Sequence, residues 1–124
     1  MFAPIFEVCA ASPAVRAALG SGVVVRLYPF GEAPEGVAKP YATWQGIGGA
    51  PENYLGQPPQ IDSFALQVDV FADTAASART AAKALRDAIE RHAHITRWGG
   101  ELKDPATGSY RIIFDVDWWV DRSA

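Results

Sequence analysis

The chain has 124 residues, of which 49% are hydrophobic, and 11 basic and 14 acidic side chains give it a net charge of −3. This composition suffices for one buried core and excludes a disordered chain. The lack of a basic run argues against a protein that grips nucleic acid by its own surface charge. The single cysteine, Cys9, excludes an internal disulfide framework and a thiolate metal cluster. No run of about 18 uncharged apolar residues is present, so we expect a soluble cytoplasmic protein with no membrane contact.

The first part of the sequence predicts a helical segment followed by two short strands. Pro4 suits a first helical turn, and Ser12 before Pro13 is a second start signal, so we expect a helical segment that is broken there. Val23, Val24 and Val25 then open a short strand that ends at LYPFGEAPEG, a loop rich in Pro and Gly. The run PYATWQGI, residues 40–47, has β-favouring side chains and predicts a second strand.

The clearest periodicities predict a strand over 61–73 and a helix over 73–93. The strand places its apolar positions on one face: Phe64, Leu66, Val68 and Val70. Asp73 or Thr74 caps the helix. The apolar positions of the helix recur at helical spacing: Ala78, Ala82, Leu85, Ile89 and His92. Its opposite face is predicted to be solvated: Arg79, Lys83, Arg86 and Glu90.

The last part of the sequence predicts a hairpin, with strands in 95–102 and 109–120 joined by the turn sequence KDPATG. The final strand alternates, with one set of side chains pointing to the core: Tyr110, Ile112, Phe114, Val116, Trp118 and Val120. Since no parallel βαβ series is present, we expect a single α+β domain over 1–124. It would contain a mostly antiparallel sheet of about five strands, with two helical segments packed on one face.

Two features predict contact with another chain. The stretch GIGGAPENYLGQPPQ, about 46–60, predicts a mobile projecting loop whose Tyr54 and Leu55 become buried elsewhere, although a merely tolerated surface insertion is the alternative. The sheet face opposite the helices is polar but carries three large apolar side chains: Phe71, Ile113 and Trp119. Such residues on an acidic face suggest partial cover by another chain.

No set of residues indicates catalysis, a cofactor or a metal ion. The GIGG sequence lacks the Lys-Ser/Thr of a phosphate-binding loop, and the pair His92 and His94 at the predicted helix end lacks further ligands. The acidic residues of the strands are first of all the solvent face of a sheet, although they allow an adventitious ion site: Asp69, Asp73, Asp115 and Asp117. Cys9 lies among apolar residues and is predicted to belong to the core.

Three stretches together resemble the family of phage tail completion, or tail terminator, proteins. VRLYPFGEAPEGVAKPYATWQ is similar to the first half of these proteins, where a strand ends in Tyr-Pro before a Gly/Pro loop. LQVDVFADTAASARTAAKALRDAI looks like their middle, where a strand runs straight into an Ala/Arg-rich helix. DPATGSYRIIFDVDWWV looks like their closing hairpin. The order and spacing of these stretches extend the resemblance over about residues 1–121.

The resemblance implies a virion structural protein, made in the bacterial cytoplasm, with no enzymatic activity and no cofactor. Such proteins assemble as a ring, commonly of six copies, on the tail tube. The ring stops tube polymerisation and meets the head-side connector protein. DNA passes through it without specific binding. A head–tail joining ring is the alternative from the same class. In a ring, four basic residues of the helix are expected to meet the acidic sheet side of a neighbour: Arg79, Lys83, Arg86 and Arg91.

A small-molecule-binding or enzymatic α+β domain is the alternative from a different class of protein. Its site would lie among the loops around Tyr41, Trp44 and Trp98. A ligand-induced rise in melting temperature would favour that alternative.

Overall fold

The computed structural model describes residues 2–21, 24–54 and 57–122, with the side chains of 21 and 51–60 outside that description. It contains three helices: α1 (Ile5–Ala10), α2 (Pro13–Leu19) and α3 (Ala75–Ile89). It contains seven strands: β1 (Gly20–Ser21), β2 (Val24–Val25), β3 (Leu27–Pro29), β4 (Tyr41–Tyr54), β5 (Gln57–Ala72), β6 (His94–Lys103) and β7 (Tyr110–Asp121).

The main sheet has five strands in the order β3-β4-β5-β7-β6, and only the short β3–β4 pair is parallel. Strands β1 and β2 form a separate two-stranded antiparallel ladder. The expected α+β class, with a mostly antiparallel five-stranded sheet, is therefore confirmed. The short strand predicted to open at 23–25 is found as two short strands, β2 and β3, which belong to different sheets; residue 23 lies outside the described residues.

The helical segments begin and end where capping chemistry places them. The predicted break is confirmed: α1 ends at Ala10, and the hydroxyl of Ser12 accepts a hydrogen bond from the Val15 amide at 3.3 Å to begin α2. Thr74 rather than Asp73 caps α3, because its hydroxyl oxygen accepts from the Ser77 amide at 3.1 Å.

The core lies between the helices and one face of the main sheet, and its buried members come from all three helices and from β2, β3, β4, β5 and β7. The predicted inner faces are confirmed, because Val68 and Val70 of β5 and Phe114 of β7 are completely buried. One expectation is wrong: His92 is exposed, and Ala93 is buried instead. The helix ends at Ile89, so the helical spacing no longer holds three residues later.

The stretch 46–60 is strand wherever the structure describes it, rather than the loop that its Gly and Pro content predicts. Gly48 pairs with Ala65, Ala50 with Ser63 and Tyr54 with Gln57, so β4 and β5 form one long antiparallel hairpin. This stretch can form a ladder because the hydrogen bonds are made by main-chain groups, and because prolines are tolerated at an open edge or at a bulge. Register shifts lie between Gly46 and Gly48 and between Glu52 and Tyr54. Mobility of the stretch stays a prediction.

Candidate functional site

The outer sheet face, opposite the helices, carries all three apolar residues that the sequence singled out. Phe71 lies opposite Arg111, Ile113 lies opposite Asp69, and Trp119 lies opposite Ser63. Phe71 and Ile113 are therefore close neighbours, whereas Trp119 lies six positions further along β7. Phe71 and Ile113 are half-buried, and Trp119 is 43% exposed. The alternation of β7 brings these residues to one face but does not gather them into one patch. That another chain covers them stays a prediction.

An arginine and an aromatic pair are in contact on this face. Tyr41 stacks on Phe71 with ring centroids 4.9 Å apart, and the guanidinium carbon of Arg111 lies 5.6 Å from the Phe71 ring centroid. Arg111 also donates through Nε to Asp69 Oδ2 at 3.1 Å, and Gln67 Nε2 donates to Asp69 Oδ1 at 2.9 Å. Asp69 is buried although it is charged, because both of its carboxylate oxygens are satisfied by these donors.

A second charged pair lies on the same face, nearer to β6. Arg97 Nε donates to Asp115 Oδ2 at 2.9 Å, which raises the pKa of the Arg97 guanidinium above its usual value. The other carboxylate oxygen of Asp115 is buried without a hydrogen-bond partner. His94, the first residue of β6 rather than part of a helix end, meets the Trp119 ring edge-on at 5.2 Å between centroids.

Three of the four acidic residues that the sequence singled out form ion pairs with the chain's own cations. Asp69 pairs with Arg111, Asp115 pairs with Arg97, and Asp73 lies 3.8 Å from the Lys39 ammonium. Within the described residues, no group of three or more His, Cys, Asp or Glu residues is arranged to hold a metal ion. The largely buried carboxylates of Asp69 and Asp115 are therefore matched by cations on the sheet surface, whereas the exposed pair of Asp73 contributes little.

Three of the four basic residues expected at a ring contact are engaged within their own chain, and the fourth, Arg91, lies beyond the end of α3. Arg79 donates to both Glu101 oxygens, at 2.6 and 3.0 Å, and this pairing lowers the pKa of the Glu101 carboxyl. Lys83 pairs with Asp87 at 3.1 Å. Arg86 lies over the Trp98 ring, 5.1 Å from its centroid. A neighbour would therefore meet compensated charges, and the expected ring contact stays a prediction.

The end of the β4–β5 hairpin is called the arm here (residues 46–60), and its part beyond Glu52 extends past the end of β7. The last pair between β5 and β7 is Ile61 with Asp121. The pairing between β4 and β5 continues beyond it, to Tyr54 with Gln57. On the other side, β3 pairs with β4 only as far as Trp44. The predicted contact residue Leu55 lies outside the described residues, and of Tyr54 only the main chain is described.

The alternative small-molecule site is not assembled as predicted. Tyr41 and Trp44 lie at positions of opposite parity on β4 and therefore point to opposite faces of the sheet. Trp98 lies on β6, which β5 and β7 separate from β4, and it stacks on Phe114 with centroids 5.1 Å apart. No single pocket can be lined by the three aromatic residues together.

Sequence reasoning missed a groove of about 600 Å³ at the end of the sheet far from the arm. The lining residues that carry charge or an aromatic ring come from three separate segments: Lys39, Tyr41, Phe71, Lys103, Asp104 and Arg111. Lys39 donates to the hydroxyl of Ser109 and so joins the loop before β4 to the turn before β7. Only the folded sheet brings these segments together, so the sequence contains no local signal for the groove.

The fold is an α+β sheet with helices on one face only. The other face, the arm and the end groove are not covered by the described part of the chain. The chain belongs to the family described as tail completion protein gp17, whose model matches residues 3–121. It is therefore a structural protein of the phage tail, located in the virion, and the family is not one of enzymes.

The fold is also found in a solved structure, titled "Virion of native gene transfer agent (GTA) particle". One chain of that particle is similar with a TM-score of 0.73 and 17% sequence identity, over 94% of this chain and 91% of that one. A comparison with curated proteins gave no match. In the described part of this chain, no helix is long and apolar enough to cross a membrane.

Proposed function

We propose that the protein caps the tail tube as an oligomeric ring, which stops tail polymerisation and forms the joint to the head-side connector. The observation that carries the proposal is the arm. Beyond Trp44 its outer edge is free of described strand partners, and residues 45–50 are exposed although they belong to a strand. A strand that is open at one edge is a surface on which another chain can add hydrogen bonds.

A ring requires heterologous contacts, in which one surface of a subunit binds a different surface of the next. The arm and the end groove lie at opposite ends of β5 and are two such different surfaces. The family, described as one of tail completion proteins, supports placing that ring on a tail tube. The net charge of −3 is compatible with a lumen through which DNA passes without being held.

The proposal is tested by adding the purified protein to polymerising tail tube protein and measuring tube lengths by electron microscopy. We expect shorter tubes with density at one end. Deletion of 50–57 removes the part of the hairpin beyond Gly49 and joins Gly49 directly to residue 58. Since the deletion also removes the β4 partners of Ile61, Asp62 and Ser63, this variant should still fold, with a lower melting temperature, and should lose the capping. Substitution Phe30→Ala, which also removes exposed apolar surface (Phe30 is 68% exposed), is the control that should cap normally.

Two results would contradict the proposal. Tubes that grow equally long with and without the wild-type protein would exclude capping. A deletion variant that no longer folds would show that the arm is part of the stable core instead of a contact surface. Binding to connector protein but never to tube ends would favour the head–tail joining ring.

A further inference from the structure

The main sheet has two open edges, one at each end of its strand order. At one end, β3 covers the edge of β4 only as far as Trp44, so the main chain of 45–54 pairs with β5 alone among the described strands. At the other end, β6 pairs with β7 alone. Strand β6 has 10 residues, and the open stretch of β4 is equally long. An unpaired strand edge is a template on which another strand can form hydrogen bonds.

Neither edge is protected in the way that edge strands usually are. Charged side chains and prolines on an edge discourage pairing with another chain. Residues 45–50 contain no charge and no proline, and all of them are exposed. On β6, the two charged side chains inside the strand turn to the chain itself, because Arg97 donates to Asp115 and Glu101 accepts from Arg79. The main chain of both edges is therefore accessible to a further strand.

The strand directions allow β6 of one copy to pair with β4 of the next. Strands β4 and β7 are both antiparallel to β5, and β6 is antiparallel to β7, so β6 and β4 run in opposite directions. All copies of a ring have the same orientation relative to its axis, so β6 of one copy is antiparallel to β4 of its neighbour. Most of the sheet already uses this pairing, and the helices of all copies stay on one side.

The two open edges lie at different heights along the strands. Across the sheet, Trp98 of β6 is level with Phe114, Val68 and Trp44 of the same chain. The middle of the open stretch of β4 lies about five residues beyond Trp44, or roughly 17 Å at 3.3 Å per residue. Pairing of β6 with this stretch therefore requires neighbouring copies to be offset along their strands by that distance.

This offset matches the tilt that a closed sheet needs. From β4 of one copy to β4 of the next, through β5, β7 and β6, there are four strand spacings, or about 19 Å. An offset of roughly 17 Å over a width of about 19 Å inclines the strands by about 40°. Strands of closed barrels are typically tilted by about 35–45° from the barrel axis. The sheets of successive copies can therefore join and close without a change in their internal pairing.

Both edge strands also have the irregularities that let a sheet curve. A register shift lies between Gly46 and Gly48 on β4, and another lies between Trp98 and Glu101 on β6, where two consecutive glycines intervene. Bulges and strand glycines bend and twist a sheet, and they are frequent at the rims and corners of barrels. The sheet can therefore bend where two copies would join.

We infer that β6 of one copy pairs with the open edge of β4, residues 45–54, in the next copy, so that the five-stranded sheets join into one closed sheet around the ring. With the two stretches aligned over their length, the Lys103 end of β6 lies beside Gln45. The inference rests on the proposed ring and names the contact that closes it. The partner is a second copy of this chain, because the direction, length and offset of β6 match those of the open edge of β4.

Thiol cross-linking tests the inference, and the single native cysteine does not interfere, because Cys9 is buried. Gln45→Cys and Leu102→Cys, at exposed positions on the outer sheet face near the inferred junction, are introduced separately and together. The variants, alone and on tail tubes, are treated with a short bifunctional thiol reagent and separated on a denaturing gel. The combined variant should give a ladder of dimers, trimers and larger species. Each single variant should give at least about tenfold less cross-linked product, because like edges do not meet in a heterologous contact.

A matched control combines Gln45→Cys with Thr80→Cys, an exposed position on α3, and should give no ladder. Light scattering and melting curves establish that each variant assembles and folds. Hydrogen exchange of the wild-type protein adds a measurement without substitutions. Amides of 45–50 and of β6 should exchange at least about tenfold more slowly in the ring than in the free copy, because main-chain hydrogen bonds protect them. Exchange in the largely exposed loop 30–36 should be unchanged.

Several outcomes would overturn the inference. An assembled combined variant without a ladder, or unchanged exchange at both edges, would exclude this contact while leaving the ring and the capping intact. Efficient cross-linking of a single variant would show that like edges meet. Cross-links to the tube protein would assign the open edge to the tube. A wild-type protein that never self-associates, in solution or on tubes, would also overturn it. Failure of the proposed function is recognised separately, as unchanged tube lengths with the wild-type protein.

Discussion

Two glycines of β4, Gly46 and Gly49, should respond oppositely to the same substitution. A Cβ atom at Gly49 would lie 2.4 Å from the main-chain oxygen of Ser63 on β5, whereas ordinary contacts begin at 3.4 Å. Gly49→Ala must therefore push the two strands apart by about 1 Å, and strain of this kind costs roughly 1–3 kcal/mol. At Gly46 no atom lies within 4 Å of the added Cβ. Gly46→Ala should therefore stabilise the folded protein by up to about 1 kcal/mol, because it lowers the backbone entropy of the unfolded chain.

Thermal unfolding followed by circular dichroism measures the difference. For a chain of this size, 1 kcal/mol corresponds to about 4 °C in melting temperature. We expect Gly49→Ala to melt about 4–12 °C lower and Gly46→Ala to melt unchanged or about 4 °C higher. The position matters, because Gly49 pairs with Phe64, which itself pairs with Trp118, so the strain is applied within the body of the sheet. Equal melting temperatures for the two variants would refute the close approach of β4 to β5 at Gly49.

Three further expectations concern the core, the buried thiol and a helix cap. Phe114→Ala should cost about 3–5 kcal/mol, because Phe114 is completely buried, and a denaturant titration with a smaller loss would contradict that burial. Burial raises the pKa of the Cys9 thiol to about 12, so a thiol reagent at pH 8 should label it only after unfolding, and rapid labelling of the folded protein would contradict its burial. Thr74→Ala should cost about 1 kcal/mol by removing the cap of α3, while Thr80→Ala, at an exposed position, serves as the control; equal melting temperatures would contradict the cap.

The elements that could be predicted are those whose apolar side chains recur at the period of a strand or of a helix. Strands β5 and β7 and helix α3 follow this pattern, since Val68, Phe114 and Leu85 all face the core at the expected spacing. The strand structure of the arm could not be predicted, because its side chains do not alternate between apolar and polar. The main-chain groups that form its ladder leave no mark in the sequence. His92 was misplaced because the periodicity continued past the end of the helix.

The candidate site could be predicted only in part. The outer-face residues Phe71, Ile113 and Trp119 follow from strand alternation alone, and the structure places them on one face. The groove depends on contacts between Lys39 and Ser109, which are 70 positions apart, and no local pattern reports such a meeting. The pairing of Arg79 with Glu101 was missed for the same reason, since Glu101 lies across the fold on β6.

The order in which the sheet can form follows from its connections. The β4–β5 hairpin joins segments that are close in sequence and can close early. Pairing of β5 with β7 joins distant segments, and it allows the Arg122 side chain to donate to Asp62, 60 positions away. Before β7 pairs with β5, the edge of β5 that β7 later occupies has unpaired main-chain groups, and the apolar sheet face under α3 is incomplete. The newly made chain is thus most prone to aggregate between the folding of its hairpin and the docking of β7, and a chaperone that shields strand edges would act in that interval.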